Sequence, residues 1–249
     1  MLSFAPALDL SSPSRRSRTS TQPRGTASKS RQATEPAAPP APEAVSLITR
    51  TSIALEYASL RHASHCPLGI YVTPSIDNVL VWDAVFFVHQ GYYTDAIFKF
   101  QLIFPHDYPE RPPSVHFLTD VLHPLISQDG VFNLAPRFRP WRPREHHVFD
   151  VLHWVKAAFK KHALDEIKES DCLNKEAYRY HDSTSSFAAL AAQTSALSQT
   201  PASLFDQDHP SMSGASSDGI VFKELKPALL AELCKKIGVK DWDDSGDAE

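Results

Sequence analysis

No run in this chain approaches the ~20 consecutive apolar residues that cross a bilayer, and its longest apolar stretch, Val79 to Val88, is broken by Asp83. That excludes a transmembrane helix of the usual kind and predicts a soluble chain. Cysteine is scarce as well: Cys66, Cys172 and Cys234 are odd in number and widely spaced, which argues against a disulfide framework and for a reducing compartment. Neither a Cys-x-x-Cys pair nor a His-Glu-x-x-His helix occurs, so no metal site or cofactor is expected, and His146 and His147 read as a helix-start surface. Basic charge is not in excess either. With 25 Lys and Arg against 29 Asp and Glu, the net charge is -4, and no basic stripe marks a nucleic-acid footprint.

What is present is enough for one sizeable core but not comfortably for two: 249 residues, 42% of them hydrophobic. Residues 1–43 are rich in Ser, Arg, Ala and Pro, with too little apolar content to offset the entropy of ordering, and read as a flexible arm. Arg15, Arg16, Arg18, Arg24, Lys29 and Arg31, without an intervening acid, raise a mitochondrial transit peptide as the competing reading. Pro13 and Pro23 would interrupt the amphipathic helix that such a peptide needs. The proline cluster from Pro36 to Pro42 suits a spacer or a polyproline II ligand.

From about Ala44 the pattern becomes helical, with Ile53, Tyr57 and Leu60 on one side, and Pro67-Leu68-Gly69 is expected to stop it. Strand signals follow over Ile70 to Thr73, Val79 to Val88, Ile97 to Phe104 and Val115 to Leu118. In the third, Phe98, Phe100, Leu102 and Phe104 share one face while Lys99 and Gln101 point to the other. Short turns between the strands favour an antiparallel meander whose apolar face must be covered by helices. His147 to Lys161 carries the stripe Val148, Leu152, Val155 and Phe159 that would cover it. Residues 184–219 are rich in Ser, Ala and Thr and read as a linker interrupted by Leu204-Phe205-Asp206-Gln207. Residues 220–240 recover an amphipathic helix starting near Glu224, with Pro227 in an early turn and Gly238 as C-cap, before an acidic tail over 241–249.

One series of landmarks goes beyond secondary structure. Tyr108-Pro-Glu-Arg-Pro-Pro, then His123-Pro124-Leu125, then Gly130-Val131-Phe132-Asn133-Leu134, then Trp141-Arg142-Pro143 resembles the ubiquitin-conjugating enzyme (E2) family. Pro67 to Tyr71, Asp77 to Trp82 and Gly91 to Phe98 extend the likeness, so that residues 44–183 can be laid on that fold. The resemblance implies an α+β architecture: a four-stranded antiparallel meander with an N-terminal helix and C-terminal helices, flanked by flexible tails.

In that family the second motif ends in Asn, a cysteine stands eight residues later, and the Trp eight residues after that. The same steps from Leu125 reach Asn133 and then Trp141. Thioester chemistry needs a thiolate that attacks and leaves, which an amide cannot supply. The motif's Asn is an oxyanion donor, a role commonly worth about 3 kcal/mol, and Leu125 has no donor to offer. The resemblance is therefore to an inactive E2 variant, and among these to the Fused Toes (AKT-interacting protein) family. The shared residues are Gly69 to Ser75, Gly91 to Phe100, Phe117 to Leu125, and Leu204 to Gln207.

That likeness implies a non-catalytic adaptor in vesicle trafficking. Its expected partners are a Hook-type coiled-coil dynein adaptor and an FHIP-type (Hook-interacting) subunit, and its expected place is the cytoplasm, peripheral on early endosomes. A ubiquitin-binding cofactor of an active E2, with weak ubiquitin contact, is the alternative. Leu204, Phe205, Phe222, Leu229 and Leu233 are candidate partner anchors, packing onto the own domain being the competing reading. Cys172 follows an acidic residue and is weighed as a displaced nucleophile against an ordinary thiol. Cys66 and Cys234 read as packing residues, and His123 as structural. Trp141 belongs either to a ligase-recognition loop or to a proline-fixed turn.

Overall fold

The computed structural model describes residues 45–181, 183–205, 220–223 and 225–238, all of which fall in the unit Ala44–Glu249. The expected arm over 1–43, Asp206-Gln207 and the tail over 241–249 lie outside the described residues.

Helix α1 spans Leu47–Ser59 and starts where the Ser46 hydroxyl accepts from the Thr49 amide at 3.0 Å. Thr49 donates in turn to the His106 carbonyl at 2.8 Å, tying the helix start to a loop 57 residues away. Ile53 is buried on the inward side. The helix ends well short of Pro67, where it was expected to stop. Ser59 donates to the Glu56 carbonyl and the Leu60 amide to Tyr57, tightening the last turn, and residues 61–66 offer little apolar surface to bury.

Strands β1 (Ile70–Pro74), β2 (Val81–Phe87), β3 (Ile97–Ile103) and β4 (Ser114–Phe117) pair in sequence order, every pair antiparallel. The period of two fixes what each face carries. Ile70, Trp82, Ala84, Phe86, Phe98, Phe100, Leu102, Val115 and Phe117 form the buried inner face. The outer face carries Tyr71, Val85, Phe87, Lys99 and Gln101, in the register Tyr71–Val85–Lys99.

Past β4 the chain makes a tight turn at Gly130, whose φ of +81° L side chains rarely adopt, and a Cβ there would stand 2.2 Å from the Phe117 carbonyl oxygen. Phe117 N–H donates to Gly130 O and Phe132 N–H to Val115 O, so residues 130–133 are fastened alongside β4. Short helix α2 (Ala135–Phe138) follows.

Helix α3, Val148–Ala158, covers the inner face with Val148, Val151, Leu152 and Val155. The helix predicted over 147–161 is broken, because Lys160 is extended (ψ 145°) and a separate α4 begins at Lys161 and ends at Glu166. Phe159 in the break stacks edge-on against Tyr93 at 5.1 Å and Phe86 at 5.5 Å. A 3-10 turn over Glu169–Asp171 leads to α5, Lys175–His181, whose Asn174 side chain accepts from the Ala177 amide.

The expected linker is the main correction. Residues Thr184–Ser198 form α6, with Phe187 and Ala191 buried, and α7 follows over Pro201–Leu204. Phe187 meets Tyr92 and Tyr93 edge-on, while Ser198 accepts from the Ile97 amide at 3.0 Å and Gln199 donates to the Asp95 carbonyl. The inward side of α6 is made largely of small residues, so close approach rather than a large apolar stripe holds it. The last helix, α8, runs Pro227–Ile237, capped by Gly238 at φ +75°. It begins later than Glu224 because the residue before a proline is pushed out of the helical region, and Lys226 is extended at ψ 140°. Among the described residues, no helix is long and apolar enough to cross a membrane.

Candidate functional site

Asn133 is held from three sides. Its backbone N–H donates to Leu125 O at 2.8 Å, its Nδ2 donates to Asp171 O at 2.7 Å, and its Oδ1 accepts from the Ala135 amide at 2.9 Å. One half-buried side chain thus joins the start of α2 to the 3-10 turn 38 residues later. The amide uses its donor and its acceptor at once, a combination that a thiol reproduces poorly.

The segment before it is closed. Leu125 is 0% exposed, and its N–H donates to His123 Nδ1 at 3.0 Å. His123, also fully buried, donates through Nε2 to Ala158 O at 3.0 Å, which fixes the neutral tautomer with Nδ1 as acceptor. Burial pushes its pKa down to about 4. The Pro124 carbonyl accepts from both Leu173 and Asn174, so the turn and the start of α5 are bound to each other. Tyr93 supplies a further tie by donating to Leu122 O at 2.7 Å.

Cys172 lies next to Asp171 and donates to Lys168 O at 3.2 Å. Burial, then the neighbouring Asp171 and Glu169 carboxylates, raise its pKa to about 11, the wrong direction for a nucleophile at neutral pH. Cys66 donates to Ile70 O, and burial raises its pKa too. Cys234 lies half-buried in α8. Trp141 donates to Pro109 O at 2.9 Å and meets Phe138 and His146, so its ring is fixed in the turn before α3. Among the described residues, no group of three or more metal-ligating side chains is brought together.

The partner-anchor candidates divide. Leu204 and Phe205 at the end of α7 are half-buried, and the Leu204 carbonyl accepts from Lys99 Nζ at 2.6 Å. Phe222 meets Phe87 at 6.4 Å and covers Lys99 Nζ at 5.6 Å, so it packs on its own sheet. Leu229 on α8 is 46% exposed, and its neighbours Leu225, Leu230 and Ile237 are exposed too, whereas Leu233 is half-buried.

One cluster has no counterpart in the sequence reading. Glu56, whose side chain is only 11% exposed, accepts from Tyr108 Oη at 2.9 Å, from His147 Nδ1 at 3.0 Å and from the Val148 amide at 3.0 Å. A carboxylate from α1 therefore caps the N-terminus of α3, where its charge suits the helix dipole. Burial, then the Glu56 charge, drive the Tyr108 hydroxyl pKa upward and keep it a donor.

A four-stranded meander backed by α3, with the Asn133 turn beside it, defines a ubiquitin-conjugating enzyme-like fold. The chain belongs to the ubiquitin-conjugating enzyme family, whose model matches residues 52–194. It is similar to a crossbronx homolog of Anopheles gambiae, 36% identical over 45% of this chain and 50% of that protein. A crossbronx-like protein of Drosophila mojavensis is 28% identical over 70% of each chain. The AKT-interacting protein of Danio rerio is 36% identical over 46% of this chain and 38% of that one. The chain thus spans from 38% to 70% of these relatives' own lengths, and its affinity is with the E2 variants that they represent.

Proposed function

We propose that this protein is a non-catalytic E2 variant working as an adaptor, a subunit of a Hook/FHIP-type complex that links early endosomes to dynein for transport on microtubules. The observation that carries the non-catalytic part is the engagement of Asn133: the motif spacing puts it in the thiol's place, and its amide is spent on Asp171 and Ala135. Leu125, in the place of the oxyanion donor, is buried and apolar. Cys172 is held protonated by its surroundings. Nothing in this arrangement forms or resolves a thioester, and what the fold retains is surface.

The adaptor part draws on the similarity to the AKT-interacting protein and on the apolar residues of α8, where Leu229, Leu230 and Ile237 are exposed among the described residues, with Leu225 exposed just ahead of the helix. Such a stripe suits a helical partner, with a few anchors carrying most of the affinity. The test is a pull-down of the tagged full chain with mass spectrometry. A long coiled-coil protein and an FHIP-type subunit are expected together, and weakened by Leu229→Asp with Leu233→Asp. Recovery of neither would refute the adaptor role. Titration with labelled ubiquitin separates the cofactor reading, which requires saturable shifts.

A further inference from the structure

The outer face of the sheet is not left to solvent. Val85 there is 2% exposed and Lys99 7%, although Tyr71, in the same row on the edge strand, is 59% exposed. At Lys99, in the inner part of the row, the chain's own C-terminal region lies over the face. The Leu204 carbonyl takes the Lys99 ammonium at 2.6 Å, and the Phe222 ring covers that ammonium and meets Phe87. Two stretches of chain, Pro201–Phe205 and 220–223, thus converge on one lysine in the middle of β3.

We propose that these stretches form a releasable strap. Closed, it withholds the outer face of the sheet. Open, it frees both that face and its own apolar side chains, Leu204, Phe205 and Phe222, for a partner. The second half rests on the adaptor reading above. Release is cheap by construction: α7 is a four-residue helix, residues 220–223 form no strand with the sheet, and the strap's apolar side chains are only half-buried where they sit. Short segments whose described apolar side chains are only half-buried open well below the free energy of global unfolding. The same side chains cannot face the sheet and a partner at once, so strap closure and partner binding through them compete.

The experiment reads Val85 directly. In the full chain with its three cysteines changed to serine, a Val85→Cys thiol is expected to react with iodoacetamide at least roughly tenfold more slowly than the same chain in denaturant. Phe222→Ser and Lys99→Met should each accelerate it several-fold while the fold, read by circular dichroism, persists. A native rate equal to the denatured one, or rates unmoved by both substitutions, would overturn the closed strap. If a cysteine at 85 prevents folding, broadening of the Val85 methyl NMR signals by a soluble paramagnetic probe gives the same comparison. Pull-downs then test the open state: Lys99→Met should recover more of the coiled-coil partner than the unmodified chain, and equal recovery would overturn the competition. No coiled-coil partner from either chain would remove the adaptor reading and the open state with it, while the labelling result still judges the closed strap.

Discussion

Replacing Asn133 by Ala removes two side-chain hydrogen bonds, at 2.7 Å to Asp171 O and at 2.9 Å from the Ala135 amide. A net value of about 1 kcal/mol for each, less some recovery from water at a half-buried site, puts the loss near 1.5 kcal/mol. With a urea slope of about 2 kcal/mol per molar, the unfolding midpoint should fall by ~0.7 M. Asn133→Asp is the sharper control, because it keeps an acceptor for Ala135 but turns a second oxygen against the Asp171 carbonyl, and it should cost at least as much. Asn133→Cys should be destabilised to a similar degree, since a thiol is a weak donor and a weaker acceptor. The measurement is equilibrium urea unfolding followed by tryptophan fluorescence. Midpoints for the Ala and Asp chains within about 0.1 M of the parent would show that the amide is not a structural tie, and the account of this site would fail.

The buried neutral His123 makes stability depend on pH. Its folded pKa of about 4 lies below the usual value of 6.5, so the unfolded chain binds the proton more readily, and stability present above pH 6.5 drains away as pH falls towards 4. About 2 kcal/mol should be lost between pH 7 and 5, and His123→Gln should flatten that part of the profile in urea unfolding. Gly130→Ala places a Cβ against the Phe117 carbonyl oxygen at a positive φ, and a loss of at least about 2 kcal/mol is expected from thermal or urea unfolding. Incubation with E1, ATP and ubiquitin should give no adduct reducible by thiol, and one that disappears on Cys172→Ser would refute the non-catalytic reading.

Much of the sheet is legible in sequence because its pattern is simple. Phe98, Phe100, Leu102 and Phe104 recur at every second position, with polar Lys99 and Gln101 between the first three, and the structure buries all four. The same pattern misleads at Lys99: alternation says which face it takes, but not that residues more than 100 positions later return to cover it. Helix α6 escapes notice because Ala191, Thr194, Ser195 and Ser198 do the work that larger apolar residues do in α3, and small side chains read as linker composition. At the site, the spacing from Leu125 to Asn133 to Trp141 is plain, yet nothing local joins Asn133 to Asp171. Glu56 is similarly mute. As one acid in a solvated-looking helix it announces nothing, and only Tyr108 and His147, both needing an acceptor in the folded chain, give it a role.

That carboxylate carries a lesson for anyone trimming the protein. A helix end completed by a side chain from another helix cannot be separated from it without leaving a bare amide and a stranded phenol behind. A cut from the front that takes Glu56 would therefore be felt first at Val148, on the other side of ninety residues of sequence.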